Sequence, residues 1–380
     1  MSMRLLLSCN ELGLGHVNRI IPLGKRLEEK GHELFFYSGG TAYQLLQKEF
    51  KNVSPCTPVG WYETSYGVIV SASVINILFP LPYFNRDRNK LRVKNSAAME
   101  TIHRYYDLRR EIKKIKPDLL IADGDMHALR LANRWHIPSV YITNIIRPSY
   151  RFSQLLTPGE RFTERYVKKA TKIIIPDNPP PYTICEHNLG NLDQIGIKDK
   201  AKFAGSYTDM TPQKGGHNHI FAPISGPTGT KAKLIKTIVP VLTRLETKSI
   251  ISLGAPGSVV MKKRGNCEIH SWLPKEQRDR FMRDSKIIIF SGGHGTCFET
   301  IKHAKPSVCI PTQPEQMGNA KKLQELNCSI SVKNQTELKS AIDEIKGKAE
   351  LYKKNVKKLS DYSRKFNGIE STVNMVENMA

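Results

Sequence analysis

The sequence predicts an α/β protein with two doubly wound, parallel-sheet domains that face each other across a cleft. A chain of 380 residues is too long for one core and suits two domains. Residues 4–37 follow the order strand, glycine turn, helix, strand, which is the opening of a doubly wound sheet. The same order begins again at residue 219, and two such halves imply a cleft between them.

The first domain is predicted from a series of short apolar segments. These are the strands 4–9, 33–37, 119–123, 139–142 and 171–176, with a helix at 126–135. From residue 177 to residue 216 the periodicity is lost and three consecutive prolines occur. We therefore place the domain boundary near Gly205.

The second domain repeats the alternation. The predicted elements are a strand at 219–223, a turn at 225–229, a helix at 231–245, strands at 249–253, 287–290 and 305–311, a loop entering a helix at 315–320, and helical segments at 350–365 and at the end of the chain.

Composition narrows the class of protein. The hydrophobic fraction is 39%, and no run of about 18 apolar residues is present that could span a bilayer. Seven scattered cysteines without C-x-x-C spacing fit a reducing cytoplasm. The net charge of +23 attracts nucleic acid, anionic membrane or acidic small molecules, but no recognised nucleic-acid module accompanies it.

The run I-I-I-F-S-G-G-H-G-T-C-F-E at 287–299 predicts a phosphate site. A buried strand leads into a glycine turn, and Thr296 opens a helix that carries Glu299. Such a turn brings bare backbone N–H groups close to an anion, and the helix N-terminus adds partial positive charge.

A second cluster is predicted in the first domain. His16 lies where the first glycine turn becomes a helix, and Asp123 ends a buried strand. Both should point into the cleft, because it lies at the carboxyl ends of the strands. A carboxylate bonded to one imidazole nitrogen fixes the tautomer of a general base. Asp125 is a nearby alternative for the carboxylate.

Together these motifs resemble the nucleotide-sugar-dependent glycosyltransferases of the GT-B superfamily, which include the UDP-glucuronosyl transferases and the lipid-linked GlcNAc transferase of wall synthesis. The resemblance rests on G-L-G-H-V-N-R at 13–19, I-A-D at 121–123, the glycine turn at 291–296, and E-Q-M-G-N at 315–319. It implies a Rossmann-like acceptor domain at 1–205, a donor domain at 206–360, and a terminal helix at 361–380 that packs back on the first domain.

The resemblance also implies roles for individual residues. His16 would be the catalytic base and Asp123 its orienting partner. Trp272 would contact the nucleotide base, and Glu299 both ribose hydroxyls. The remaining donor contacts would come from the turn at 225–229, the glycine turn at 291–296, the first glycine turn of the chain and an acidic-Gln pair. In that order, the residues are Ser225 and Gly226; Ser291, Gly292, Gly293, His294, Gly295 and Thr296; Gly15; and Glu315 and Gln316.

One position departs from the family pattern. Where many members carry a diphosphate-binding histidine, this sequence has Ser291, and His294 follows within the turn. Either the serine and the backbone N–H groups hold the diphosphate, or His294 reaches it from a shifted register.

The implied reaction is inverting transfer of a sugar from a UDP-sugar to an acceptor hydroxyl. We expect neither a metal nor another cofactor, because helix-terminal N–H groups can stabilise the departing diphosphate. An alternative is hydrolysis of a nucleotide sugar, since G-H-V-N-R at 15–19 is also similar to the hydrolases of nonulosonate synthesis.

An apolar segment at 73–84 is followed by a basic run at 85–94. This combination fits a loop that dips into an anionic membrane, where cations meet the headgroups. The alternative is a buried lid over the cleft. The membrane interpretation predicts a lipid or lipid-linked acceptor and a cytoplasmic protein bound peripherally at the inner face of the membrane.

Overall fold

The computed structural model describes residues 2–11, 14–60, 62–64, 67–85, 90–151, 154, 157–226, 228–255 and 260–379. It confirms the predicted fold class, because two parallel sheets flanked by helices form two Rossmann-like domains.

The first sheet lies in the first domain. Its strands are β1 (Arg4–Cys9), β2 (Glu33–Ser38), β3 (Val53–Pro55), β8 (Leu119–Asp123), β9 (Ser139–Ile142), β10 (Lys172–Ile175) and β11 (Ala201–Phe203). In the described chain their order is β11-β10-β9-β8-β1-β2-β3, and all neighbours are parallel. Leu5, Leu6 and Leu7 are fully buried, as expected for a central strand covered on both faces.

Helices cover this sheet, and two short hairpins project from it. The helices are α1 (Gly15–Glu29), α2 (Gly40–Glu49), α3 (Val70–Asn76), α4 (Ala97–Ile115), α5 (Met126–Arg134), α6 (Thr157–Val167), α7 (Glu186–Leu189) and α8 (Leu192–Ile195). The hairpins pair β4 (Glu63–Thr64) with β5 (Gly67–Val68), and β6 (Leu81–Asn85) with β7 (Lys90–Lys94). The segment predicted as an apolar loop at 73–84 therefore contains the end of a helix and a strand.

The second sheet lies in the second domain. Its strands are β12 (His219–Pro223), β13 (Ser249–Ser252), β14 (Met261–Arg264), β15 (Cys267–His270), β16 (Ser285–Phe290), β17 (Ser307–Cys309) and β18 (Ser329–Ser331). Their order among the described residues is β14-β15-β13-β12-β16-β17-β18, with β14 antiparallel to β15. The helices are α9 (Thr228–Leu242), α10 (Lys275–Arg283), α11 (His294–Lys302), α12 (Pro314–Glu325), α13 (Gln335–Gly347), α14 (Ala349–Ser363) and α15 (Gly368–Glu377).

Helices α9, α11 and α12 start earlier than predicted, and α9 begins at Thr228 rather than at residue 231. Helix α11 begins at His294 rather than at Thr296, with the extended Gly293 as its N-cap. Residues 315–320, predicted as a loop entering a helix, are already helical, because Pro314 fits the first helical turn.

The terminal helix α15 packs on the first domain, as the predicted fold requires. Val373 and Val376 join the buried core around α1, and Arg26 forms an ion pair of 2.6 Å with Glu370. The chain passes from β11 to β12 through residues 204–218, and the predicted boundary at Gly205 lies in this linker. The exact domain limits stay a prediction.

Candidate active site

His16 and Asp123 meet at the carboxyl edge of the first sheet. Strands β1 and β8 are neighbours, so Asp123 lies beside the turn that starts α1. Asp123 is fully buried, and its Oδ1 lies 2.7 Å from Nδ1 of His16. A proton on Nδ1 then donates to the carboxylate, which leaves Nε2 of the imidazole as a proton acceptor.

Gly124 makes room for the His16 ring. Its φ of +65° is a conformation that L side chains rarely adopt. A Cβ at this position would lie 2.5 Å from Cε1 of His16, so any side chain would displace the imidazole. Gly15, predicted as a donor contact, is the first residue of α1.

Arg19 is a third member of the cluster, and its role was not predicted from the sequence. Its Nε and Nη2 donate to the two carboxylate oxygens of Asp123 at 3.0 and 2.6 Å. Burial alone would raise the pKa of Asp123, but the charges and hydrogen bonds of Arg19 and His16 lower it. Arg19 lies three residues after His16 and therefore on the same face of α1, and this spacing is the sequence signal for the contact.

Asp125 has a different task. It caps α5 by accepting from the backbone N–H of His127 at 3.0 Å, and it accepts from Nη2 of Arg104 at 2.7 Å. Arg104 also donates to Glu11 at 2.7 Å, which ties the loop before α1 to α4. The structure therefore places Asp123, not Asp125, against the imidazole.

The predicted phosphate turn follows β16. Gly292 has a φ of +86°, and a Cβ there would lie 2.9 Å from the carbonyl oxygen of Gln316. Helices α11 and α12 both start beside this turn. The N-cap of α11 is Gly293, which has no side chain, and the side chain of Gln313 makes no capping hydrogen bond to α12. Thr312 Oγ1 lies 3.3 Å from Thr230 Oγ1, which brings the start of α9 to the same place. First-turn N–H groups of α11 and α12 can therefore serve an anion.

The two candidates for the diphosphate contact differ in environment. Ser291 is buried at the end of β16. His294 is also buried, but its Nε2 lies 3.0 Å from Oδ2 of Asp177 in the first domain. The imidazole therefore holds a contact between the domains, and the interpretation in which His294 reaches the diphosphate has no support in this geometry. Gly293, Gly295 and Thr296 complete the turn and the first helical residues.

Asp177, Cys185 and His294 place potential metal ligands within 4.8 Å of one another. Both carboxylate oxygens of Asp177 already accept backbone N–H groups, including those of Ile184 and Cys185. Burial, and then the charge of Asp177, raises the pKa of the Cys185 thiol well above its ordinary value. A protonated thiol is a poor metal ligand, so this cluster suits a hydrogen-bonded contact between the domains better than a metal.

Glu299, predicted to bind ribose, has a charged neighbour. Arg278 of α10 donates to its two carboxylate oxygens at 2.7 and 2.6 Å. This pair fixes the orientation of the carboxylate. Trp272, predicted to contact the nucleotide base, is half-buried in the segment between β15 and α10.

Glu315 and Gln316 lie in the first turn of α12. Oε1 of Glu315 accepts from Nδ2 of Asn144, a residue of the first domain, at 2.8 Å. Oε1 of Gln316 accepts from the backbone N–H of Thr312 at 2.9 Å. Burial lowers the pKa of Arg19, but the charge and hydrogen bonds of Asp123, and then the charge of Glu315, raise it. Asn144 follows Ile142, which is the register partner of Asp123, so Glu315 contacts the first domain at the sheet edge that carries the His16 cluster.

Ser225 and Gly226 follow the strand β12 and are exposed, and Gly226 has a φ of +108°. Lys231, in the following helix, donates to the carbonyl oxygen of Gly254. Burial lowers the pKa of this lysine. A partly desolvated amine therefore follows the predicted turn at 225–229, and the sequence analysis did not identify it.

Comparisons with known proteins agree with this architecture. A family model described as "Glycosyltransferase family 28 C-terminal domain" matches residues 260–370. A protein of Methanosarcina mazei, named as an uncharacterized glycosyltransferase, is 25% identical over 340 residues, which cover 83% of this chain and 82% of that protein. A Clostridium tetani protein, named UDP-N-acetylglucosamine--N-acetylmuramyl-(pentapeptide) pyrophosphoryl-undecaprenol N-acetylglucosamine transferase, is 23% identical over 388 residues, covering 96% of this chain and 94% of its own.

The fold is also that of solved glycosyltransferases. The solved structure "Spinosyn Rhamnosyltransferase SpnG complexed with thymidine diphosphate" matches with a TM-score of 0.68 at 14% identity, over 99% of this chain and 100% of that chain. The sequence relatives span both domains, and the family model covers residues 260–370, which include the glycine turn. These matches in sequence and in structure identify the chain as a glycosyltransferase with the GT-B fold.

Proposed function

We propose that this glycosyltransferase transfers a hexosyl or N-acetylhexosaminyl group from a UDP-sugar to an acceptor hydroxyl, with inversion at the anomeric carbon. The observation that carries the proposal is the His16–Asp123 contact of 2.7 Å, at the edge of the first sheet where Asn144 contacts Glu315 of the second domain. One wall offers a proton acceptor, and the other offers N–H groups for a diphosphate.

In the proposed reaction, Nε2 of His16 takes the proton of the acceptor hydroxyl while its oxygen attacks the anomeric carbon. The bond from that carbon to the diphosphate breaks on the opposite face, which inverts the configuration. Asp123 stabilises the imidazolium that forms. The N–H groups at the start of α11 stabilise the negative charge that develops on the diphosphate. These groups supply what a metal supplies in other transferases, so we propose a metal-independent enzyme.

Uridine is proposed as the nucleoside because one relative, the Clostridium tetani protein, is named for a UDP-linked donor. The Glu299–Arg278 pair offers an oriented carboxylate to a ribose. A thymidine nucleotide, as in the solved rhamnosyltransferase complex, is the competing donor class.

The test is UDP release from a panel of UDP-sugars, with membrane lipid extract present or absent. We expect release that depends on the acceptor. His16→Ala should abolish release and leave UDP affinity unchanged, because the imidazole belongs to the wall opposite the nucleotide. His103→Ala, which removes an exposed histidine of α4, is the matched control. Undiminished turnover in His16→Ala would refute the proposal that His16 is the catalytic base.

The acceptor is proposed from an apolar surface on the first domain. Ile75, Ile77, Leu78 and Phe79 are 46–68% exposed, which contradicts the alternative of a buried lid. The backbone N–H of Ala98 donates to the carbonyl oxygen of Ile77, so this patch continues onto α4.

On α4, the exposed apolar residues are followed by cations. Met99, Ile102 and Tyr106 are exposed, and Arg110, Lys113 and Lys114 are exposed farther along the helix. Apolar side chains beside cations suit an anionic lipid surface. Residues 86–89 of the predicted basic run lie outside the described residues. Among the described residues, the structure contains no helix that is both long and apolar enough to cross a membrane.

We therefore propose peripheral membrane binding at the cytoplasmic face and a lipid or lipid-linked acceptor. Sedimentation with phosphatidylglycerol vesicles tests the surface. The double variant Leu78→Ser, Phe79→Ser should lose binding, while Leu351→Ser, at an exposed leucine of α14, should retain it. Equal vesicle binding by the wild type, the double variant and Leu351→Ser would refute the proposal that this surface binds membranes.

Hydrolysis remains the second candidate, because Arg19 forms part of the His16 cluster as the G-H-V-N-R motif suggests. In that reaction His16 would take a proton from water. Release of UDP and free sugar at the same rate with and without acceptor would decide for the hydrolase.

A further inference from the structure

Three buried asparagines connect the first domain with the donor side of the second. Asn144 follows β9, Asn188 lies in α7, and Asn319 lies in α12. Asn188 and Asn319 are fully buried, and Asn144 is nearly so. Buried amides need hydrogen-bond partners, so the contacts they make define what they hold in place.

Asn319 and Asn188 form a chain that ends at the phosphate turn. Nδ2 of Asn319 donates to the carbonyl oxygen of Gly292 at 3.0 Å. Oδ1 of Asn319 accepts from Nδ2 of Asn188 at 3.0 Å. Nδ2 of Asn188 also donates to the carbonyl oxygen of Glu315 at 3.1 Å. Asn188 of the first domain therefore contacts the start of α12 directly, and it contacts the glycine turn through Asn319.

The fit around Asn188 is close. A Cβ on Gly318 would lie 2.3 Å from Oδ1 of Asn188, so a side chain there would push the amide away. Oδ1 of Asn188 itself is buried and has no hydrogen-bond partner among the described residues. An unsatisfied buried oxygen destabilises the fold, which indicates that the amide is kept for its Nδ2 contacts.

Asn144 acts on a different atom. Its Nδ2 donates to Oε1 of Glu315, the side-chain oxygen, whereas Asn188 contacts the backbone of the same residue. Removing Asn144 leaves Oε1 of Glu315 with a longer contact, 3.5 Å from Nδ2 of Asn319, and removes no hydrogen bond of the turn at Gly292. The two asparagines should therefore affect different parts of a donor.

We propose that Asn188 and Asn144 are positioning residues through which the first domain takes part in donor binding. Asn188 sets the turn that takes the diphosphate, and Asn144 sets the carboxylate that takes the sugar. This inference rests on the proposed function, since it assumes that the donor lies along the turn at Gly292 and Glu315.

The experiment is calorimetric titration with UDP and with UDP-glucose, UDP-GlcNAc and UDP-glucuronic acid, using the sugar nucleotide that the wild type binds best. Asn188→Asp keeps the shape of the side chain but places a carboxylate oxygen where Nδ2 donates. That oxygen would face two acceptors, Oδ1 of Asn319 and the carbonyl oxygen of Glu315. It should weaken UDP and the UDP-sugar equally, by about tenfold for one hydrogen-bonded contact. Asn144→Ala should weaken the UDP-sugar by a similar factor and leave UDP unchanged.

The controls break other contacts between the same two helices. His187 lies 3.0 Å from Glu325, and Glu186 pairs with Lys322. His187→Ala and Glu186→Gln remove these contacts without reaching the phosphate turn, so both should bind UDP as the wild type does. Gly318→Ala, which displaces Asn188 without replacing it, is a second probe if Asn188→Asp does not fold.

The outcomes separate the two proposals. A wild type that binds no nucleotide refutes the proposed function, and the inference with it. A wild type that binds UDP while Asn188→Asp and Gly318→Ala bind it equally well refutes only the positioning role. Equal weakening in Glu186→Gln also refutes it, because any loss of contact between the domains would then suffice.

Discussion

The candidate site has two walls, one from each domain, and they use different parts of the chain. The wall of the first domain consists of side-chain charges, with His16, Asp123 and Arg19 within hydrogen-bonding distance of one another. The wall of the second domain consists mainly of backbone, in a turn at Gly292 that only a glycine readily adopts and in the starts of α11 and α12.

This difference fits the two proposed tasks, which are proton transfer in the first domain and diphosphate binding in the second. Moving a proton needs a titratable group and a charge that fixes its tautomer, and only side chains supply these. Holding a diphosphate needs several N–H donors at one point, which a helix start supplies without any charged residue. Substitutions that change charge but not shape should therefore disable the first wall, and substitutions that change the backbone should disable the second.

The largest effect is expected for Asp123→Asn. The amide has nearly the same shape but does not stabilise an imidazolium, so turnover should fall by about 10²- to 10⁴-fold. UDP affinity should stay unchanged, because in the proposed complex the nucleotide binds at the glycine turn of the second domain. Acceptor-dependent UDP release and calorimetric titration with UDP measure the two quantities.

The same variant leaves the Arg19 guanidinium without its charge partner. The free energy of unfolding should therefore fall by about 3–5 kcal/mol. Asp199→Asn, at an exposed position before β11, controls for loss of a surface carboxylate. Normal turnover in Asp123→Asn would show that the imidazole does not depend on this carboxylate.

The same contrast explains what the sequence could predict. The phosphate turn was predictable because glycines and helix starts are local, so their spacing along the chain determines the geometry. The pairing of His16 with Asp123 was predictable because both lie at the carboxyl ends of strands in one doubly wound sheet.

The partners of Glu299 and His294 were not predictable in this way. Arg278 reaches Glu299 from another helix, and Asp177 reaches His294 from another domain. Such contacts depend on how helices and domains pack, which spacing does not encode. His294 illustrates the limit: its position in the turn was predicted, but the direction of its imidazole was not.

A smaller effect is expected at the second wall, from Gly292→Ala. The positive φ and the 2.9 Å approach to the carbonyl oxygen of Gln316 both oppose a Cβ. The free energy of unfolding should fall by about 1–3 kcal/mol, and UDP affinity should fall with it because the turn must shift. Denaturant unfolding and calorimetry measure both.

Gly295 provides the matched control for that variant. It lies in the first turn of α11, and a Cβ there would meet no protein atom within 4 Å. Gly295→Ala should leave the free energy of unfolding unchanged or slightly higher, because alanine favours a helix. If Gly292→Ala were as stable as Gly295→Ala, the turn would not depend on the left-handed conformation at residue 292.

The smallest effect is expected in the pH dependence of stability. It concerns His303, which lies at the C-terminal end of α11, far from the glycine turn. Burial, aided by the charges of Lys302 and Lys305, lowers the pKa of His303 from 6.5 to about 4. Between these values the unfolded chain binds a proton that the folded protein does not, so stability falls as the pH drops from 6.5 to about 4.

His303→Gln should remove this part of the acid sensitivity, on the order of 1 kcal/mol, and His103→Gln should not. Unfolding curves at several pH values measure it. A variant that stays as acid-sensitive as the wild type would assign the sensitivity to other groups. Because the ring lies a whole helix away from the turn, the loss should appear in stability before it appears in UDP affinity.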